Sequence, residues 1–77
     1  MTDVAIALDW WEDGSEGAIS AWLVDDGDRV EAGVIVAEVM NEKVSFELFA
    51  PTSGIISIFV PAETPVVPGQ VVARIAP

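Results

Sequence analysis

Cysteine and histidine are both absent from the 77 residues. Their absence removes disulfides, thiol chemistry, zinc clusters and histidine-based acid–base catalysis as possibilities. A reducing compartment is compatible with it. Basic residues are nearly absent as well: Arg29, Lys43 and Arg74 stand against thirteen acids, giving a net charge of −10. Phosphate contacts need clustered Lys and Arg, so a nucleic-acid partner is excluded. The acids keep a small apolar domain soluble, and a monomer in isolation is expected. No apolar run approaches the ~20 residues of a membrane helix, so no membrane association is expected. Neither a basic-then-apolar leader nor an Arg-rich transit segment is visible. Cytoplasmic localisation is therefore expected, or the mitochondrial matrix if the source is eukaryotic. No stretch has helical periodicity.

What remains is a chain that is 52% hydrophobic, with six glycines and five prolines spaced between short apolar runs. The length fits one domain, 1–77. With neither disulfide nor metal to help, apolar packing must hold it together. Strands are expected at Val4 to Leu8, Gly17 to Val24, Arg29 to Val30, Val34 to Met40 and Val44 to Leu48, the last with the period-2 alternation of a half-buried strand. Asp9 to Glu16 reads as a loop. Turns are expected around Gly27, Gly33, Gly54 and Gly69.

The second half repeats the first. Gly17-Ala18-Ile19-Ser20-Ala21-Trp22-Leu23 matches Gly54-Ile55-Ile56-Ser57-Ile58-Phe59-Val60, and Val30 to Val39 matches Val66 to Ile75. The offset falls from 37 to 36 residues between the two matches. Two copies are too few for a solenoid. The halves, about 1–39 and 40–77, are expected to pack face to face about a pseudo-twofold axis. The fold class is all-β, a sandwich or flattened barrel. Alternation sends Ile35, Ala37 and Val39 inward, with Val71, Ala73 and Ile75 as counterparts. It does the same for Ile19, Ala21 and Leu23, with Ile56, Ile58 and Val60. Glu38, Arg74, Ser20 and Ser57 then face solvent. Trp22 and Phe59 are expected to be partly covered on the serine side.

Lys43 is the sole lysine. It falls between two expected strands, in the connection that joins the two halves. Asn41-Glu42-Lys43-Val44 suits a type I turn, with Asn at the first position able to cap a backbone amide. A lone amine displayed on a hairpin suits covalent attachment, although an ordinary hairpin-tip lysine does no more than solubilise. Glu38, Glu42 and Glu47 lie near it in sequence. An acid–base pair would need a cleft and a nucleophile or metal, so these acids read as solvated, with Glu42 available to a modifying enzyme. The chain is not expected to be an enzyme in its own right. Trp10 and Trp11 are adjacent in an acidic loop. Alternation buries at most one; one is expected to cap an end of the core, and the other is available to a partner surface.

From Val4 to Ile75 the chain resembles a lipoyl domain of the biotinyl/lipoyl attachment family, as found in acyltransferase components of 2-oxo acid dehydrogenase complexes. The resemblance rests on Glu16-Gly17-Ala18-Ile19, Trp22 to Val30, Glu38-Val39-Met40-Asn41-Glu42-Lys43-Val44, Ala50-Pro51-Thr52-Ser53-Gly54 and Gly69 to Ile75. It implies two four-stranded antiparallel sheets in a flattened barrel. It implies lipoic acid in amide linkage on Lys43, with Met40, Asn41, Glu42 and Val44 as the recognition hairpin. The arm would carry acyl groups from a thiamine diphosphate-dependent 2-oxo acid dehydrogenase to an acyltransferase catalytic domain, and a flavoprotein, dihydrolipoamide dehydrogenase, would reoxidise it. A lipoate ligase or lipoyltransferase would load it. Glu42 replaces the family's usual Asp, and Leu8-Asp9-Trp10-Trp11 replaces its proline-leucine-glycine run. No acyltransferase catalytic or subunit-binding segment is present, so a stand-alone carrier or a piece of a longer protein is expected. The rival readings are a biotin carboxyl carrier-type domain, for which methionines would flank the lysine directly, and an unmodified barrel-sandwich binding module.

Overall fold

The computed structural model describes residues 1–11, 16–42 and 44–77. Eight strands run β1 Thr2–Ala5, β2 Gly17–Trp22, β3 Arg29–Val30, β4 Ile35–Met40, β5 Ser45–Phe49, β6 Gly54–Ile58, β7 Pro65–Val66 and β8 Val71–Ala76. No helix occurs among the described residues. The strands are short and rich in Val and Ile, residues that pack well on a pleated surface. They form two antiparallel sheets, ordered β1-β8-β6-β3 and β5-β4-β2-β7. Advancing every strand by four places in cyclic order turns one sheet into the other, which is the pseudo-twofold relation.

The expected halves do not form one sheet each. β1 and β3 share a sheet with β6 and β8, while β5 and β7 share the other with β2 and β4. The halves are interleaved because β4 and β5, one from each half, pair as an antiparallel hairpin. Between the sheets lies one apolar core, in which Ile6, Ile19, Val39, Ile56, Val72 and Ile75 are buried. Each such side chain gives about 1.5–3 kcal/mol on leaving water. Ala37 and Ala73 are also buried, at equivalent places on β4 and β8.

Irregular pairing shifts several faces from strict alternation. On β2, Ile19 pairs with Val39 but Ala21 pairs with Glu38, so Ser20 is an extra residue. The bulge reverses the parity beyond it. Trp22 consequently packs on the core, its Nε1–H donating to the Val60 carbonyl at 2.8 Å. Leu23, expected inside, is 54% exposed. Its N–H still reaches the Val36 carbonyl at 2.8 Å, but the ladder ends at Trp22 rather than Val24.

On β4, Ile35 pairs with Phe49 and Ala37 with Leu48, leaving Val36 extra. On β8 the same happens to Val72, between Ala5–Val71 and Val4–Ala73. Val36 and Val72 take the buried places expected for Ile35 and Val71. The first strand, expected at Val4 to Leu8, lies at Thr2–Ala5. Its partner β8 runs out to Ala76 and pairs Thr2 with Ile75. Ile6 stays buried past the strand end, bonded to the backbone of Gly69 and Gln70, while Leu8 is exposed. β5 lies one residue later than expected, at Ser45–Phe49. β6 stops at Ile58, leaving Phe59 half-exposed with the Arg74 guanidinium 5.4 Å from its ring centre. Ser20, Ser57 and Glu38 face solvent as expected, and Arg74 is half-exposed.

Candidate functional site

The β4–β5 hairpin is positioned by the five cross-strand pairs from Ile35–Phe49 to Met40–Ser45. β4 is anchored on its other side by β2, so the tip projects from a strand held at both edges. Lys43, and with it Glu12, Asp13, Gly14 and Ser15 of the expected acidic loop, lie outside the described residues. The hairpin residues Met40, Asn41, Glu42 and Val44 are described. Met40 is 45% and Val44 50% exposed, Glu42 is exposed and Asn41 half-buried.

Two hydrogen bonds close the connection. The Asn41 N–H donates to the Val44 carbonyl at 3.0 Å, and the Val44 N–H donates to Asn41 Oδ1 at 2.9 Å. The amide taken by the side chain is three residues on, the local bonding that makes Asn a turn residue. Glu38 and Glu47 sit directly opposite each other across β4 and β5, on the solvent face two residues from the tip. Both are exposed, and no described cation pairs with them.

One flank of the hairpin is aromatic. Phe46 stacks on Trp10 with ring centres 4.7 Å apart and planes 7° from parallel, and Trp11 lies 5.9 Å from the same ring. Trp11 is buried and Trp10 half-buried. Trp11 presses on β2 so closely that a Cβ on Gly17 would come within 2.6 Å of its ring. Both tryptophans thus help join the first loop to β5, and Trp11 closes an end of the core. Phe46 is not among the expected site residues. Its signal in the sequence is only an apolar position in an alternating strand, which does not reveal a partner so distant along the chain.

The predicted turn glycines sit away from the hairpin. Gly27, Gly33 and Gly69 have φ of +90°, +88° and +87° and occupy the β2–β3, β3–β4 and β7–β8 turns. Gly54 opens β6. An open groove of about 270 Å³ between the edges of β1 and β5 is lined by Asp3, Val4, Ala5, Leu48, Phe49 and Pro51. Its single ionisable group, Asp3, is already bonded to Arg74 Nε at 2.8 Å. Among the described residues there is no cluster of potential metal ligands, and no helix is long and apolar enough to cross a membrane.

Comparison with known proteins bears on the same stretch. The family model described as "Biotin-requiring enzyme" (Biotin_lipoyl) matches residues 12–75, a span that includes the hairpin. Three relatives are each a "dihydrolipoyllysine-residue acetyltransferase component of pyruvate dehydrogenase complex". The one from Zymomonas mobilis is 41% identical over 64 residues, covering 80% of this chain and 14% of the relative. That from Rhizobium meliloti is 40% identical over 50 residues, covering 64% and 11%. That from Staphylococcus aureus is 38% identical over 61 residues, covering 78% and 14%. The chain therefore spans no more than 14% of the length of these relatives.

Proposed function

Since the chain belongs to the biotinyl/lipoyl attachment family and is a lipoyl domain, we propose that it serves as an acyl carrier with lipoic acid in amide linkage on Lys43. One observation carries the reading: the family match spans a hairpin whose only amine-bearing side chain is Lys43, between the hydrogen-bonded pair Asn41 and Val44. The residues described around it fit a covalent arm. Met40, Glu42 and Val44 expose their side chains at the tip. A modifying enzyme can approach them from solvent.

When attached, the lipoyl group supplies a disulfide that takes up an acyl group and two electrons and then gives the acyl group to a thiol. The chain's own contribution is mechanical. Two sheets pinned by a shared core present the tip of β4 and β5 as a fixed mount. A tethered arm raises the local concentration of its cargo at each active site without tight binding. The relatives' names point to an acyltransferase and a 2-oxo acid dehydrogenase as the proteins served, and we extend that to this chain. Loading by a lipoate ligase or lipoyltransferase and reoxidation by dihydrolipoamide dehydrogenase complete the proposal.

Intact mass tests it. Co-expression with a lipoate ligase and lipoate should raise the mass by one lipoyl amide, and Lys43→Arg should abolish the increase. The description of the family model makes biotin the second reading. A biotin adduct, or a folded chain that takes neither group, would sink the lipoyl assignment.

A further inference from the structure

The connection between β4 and β5 is closed by Asn41. Met40 pairs with Ser45, and the Asn41 N–H reaches the Val44 carbonyl at 3.0 Å. β4 ends at Met40 and β5 starts at Ser45, so Asn41 to Val44 form the connection. Four-residue connections are most often built around a type I turn, which needs no positive φ at its central positions and favours Asn at its first. Glu42 is not among the positive-φ residues, of which Glu63 is the one non-glycine described. Here the Asn41 side chain spans the connection: its Oδ1 accepts the Val44 N–H at 2.9 Å.

Resting on the carrier reading above, we propose that Asn41 is a positioning residue for the loading of Lys43. It acts by tying Asn41 to Val44, the points where the chain enters and leaves the connection that carries the lysine a lipoate ligase must reach. Loading forms one amide bond between Lys43 Nζ and the lipoyl carbonyl carbon. ATP first converts the carboxylate to an acyl adenylate with release of pyrophosphate; the amine then attacks the acyl carbon, loses a proton, and AMP leaves. Asn41 takes no part in that exchange. A loop already tied at its ends costs less to order on binding, so the effect belongs in KM rather than in kcat.

The test uses Asn41→Ala and Asn41→Leu, which lack the acceptor, and Asn41→Asp, which keeps it. With a lipoate ligase, lipoate and ATP, the KM for the Ala and Leu variants should rise about three- to tenfold at unchanged kcat, the range expected for one hydrogen bond. Asn41→Asp should stay within about twofold of the wild type. Uncatalysed acylation of Lys43 by a small activated ester should proceed equally in all four proteins. Trp22→Phe, which removes the distant bond to Val60, supplies a destabilised control whose loading KM should not change. An unchanged KM in Asn41→Ala, or an equal rise in Trp22→Phe, overturns the role of Asn41 while leaving the carrier reading intact. A wild-type chain that takes no lipoyl group overturns both.

Discussion

Gly54 and Glu63 show how single backbone positions constrain this fold in opposite directions. Gly54 opens β6 with φ of +154°, and a Cβ there would collide with the carbonyl oxygen of Ala76 and meet Ile75 Cγ2 at 2.9 Å. β6 and β8 are neighbours in the same ladder, with Ile55 opposite Ala76, so the carbonyl cannot yield without opening the pair. Gly54→Ala should therefore cost about 2–4 kcal/mol, seen as a lower denaturant midpoint. Gly27 has φ of +90°, but a Cβ there would meet nothing within 4 Å. The same change at Gly27 should cost only about 1 kcal/mol. Glu63 holds φ of +68° while its N–H bonds to the Ile19 carbonyl at 2.6 Å. A left-handed non-glycine residue stores roughly 1–3 kcal/mol, and glycine gives back about 0.5–1 kcal/mol through the unfolded chain. Glu63→Gly should thus raise stability by about 0.5–1 kcal/mol, measured by the same denaturant titration.

At the scale of the strand, the bulges decide which side chains make the core. Ile19 and Leu23 share one expected face of β2, yet Ile19 is fully buried and Leu23 is 54% exposed. Ile19→Ala should cost about 2–4 kcal/mol and Leu23→Ala no more than about 0.5 kcal/mol. Equal losses in urea titrations would contradict the bulge at Ser20. The contrast also marks the limit of what the sequence discloses. Period-2 alternation and the duplicated segments are local patterns, and from them the all-β class, the turn glycines and the Asn41 cap can be read. A bulge depends on the register between two strands, which no single strand encodes. Alternation alone therefore puts Leu23, Ile35 and Val71 on the wrong face for one shared reason. The same holds for the stack of Trp10 on Phe46. It needs the first loop and β5 brought together, and neither residue's neighbours announce the other.

At the scale of the whole molecule, the pseudo-twofold relation sets up a comparison within one chain. Asp3 and Arg74 pair across β1 and β8, and Glu47 and Glu38 occupy the corresponding places across β5 and β4. In one sheet the pair is an ion pair of 2.8 Å with side chains about half-exposed. In the other, the same geometry opposes two carboxylates in a chain of net charge −10. Like charges directly opposite on a sheet oppose pairing, and opposite charges favour it, by roughly 0.2–1 kcal/mol. Solvent screening at such exposed sites holds the effect to the low end of that range. Glu38→Arg rebuilds the Asp3–Arg74 arrangement in the second sheet and makes the net charge two units less negative. It should raise stability by about 0.5 kcal/mol in low salt. Arg74→Glu is the mirror experiment, and it should lose more, because it also removes the guanidinium from the Phe59 ring. Both effects should shrink as salt shortens the screening length to about 3 Å near 1 M. Thermal melts of the two variants at low and high salt decide the matter. If Glu38→Arg is no more stable than the parent in low salt, the two sheets do not share the energetics that their symmetry implies.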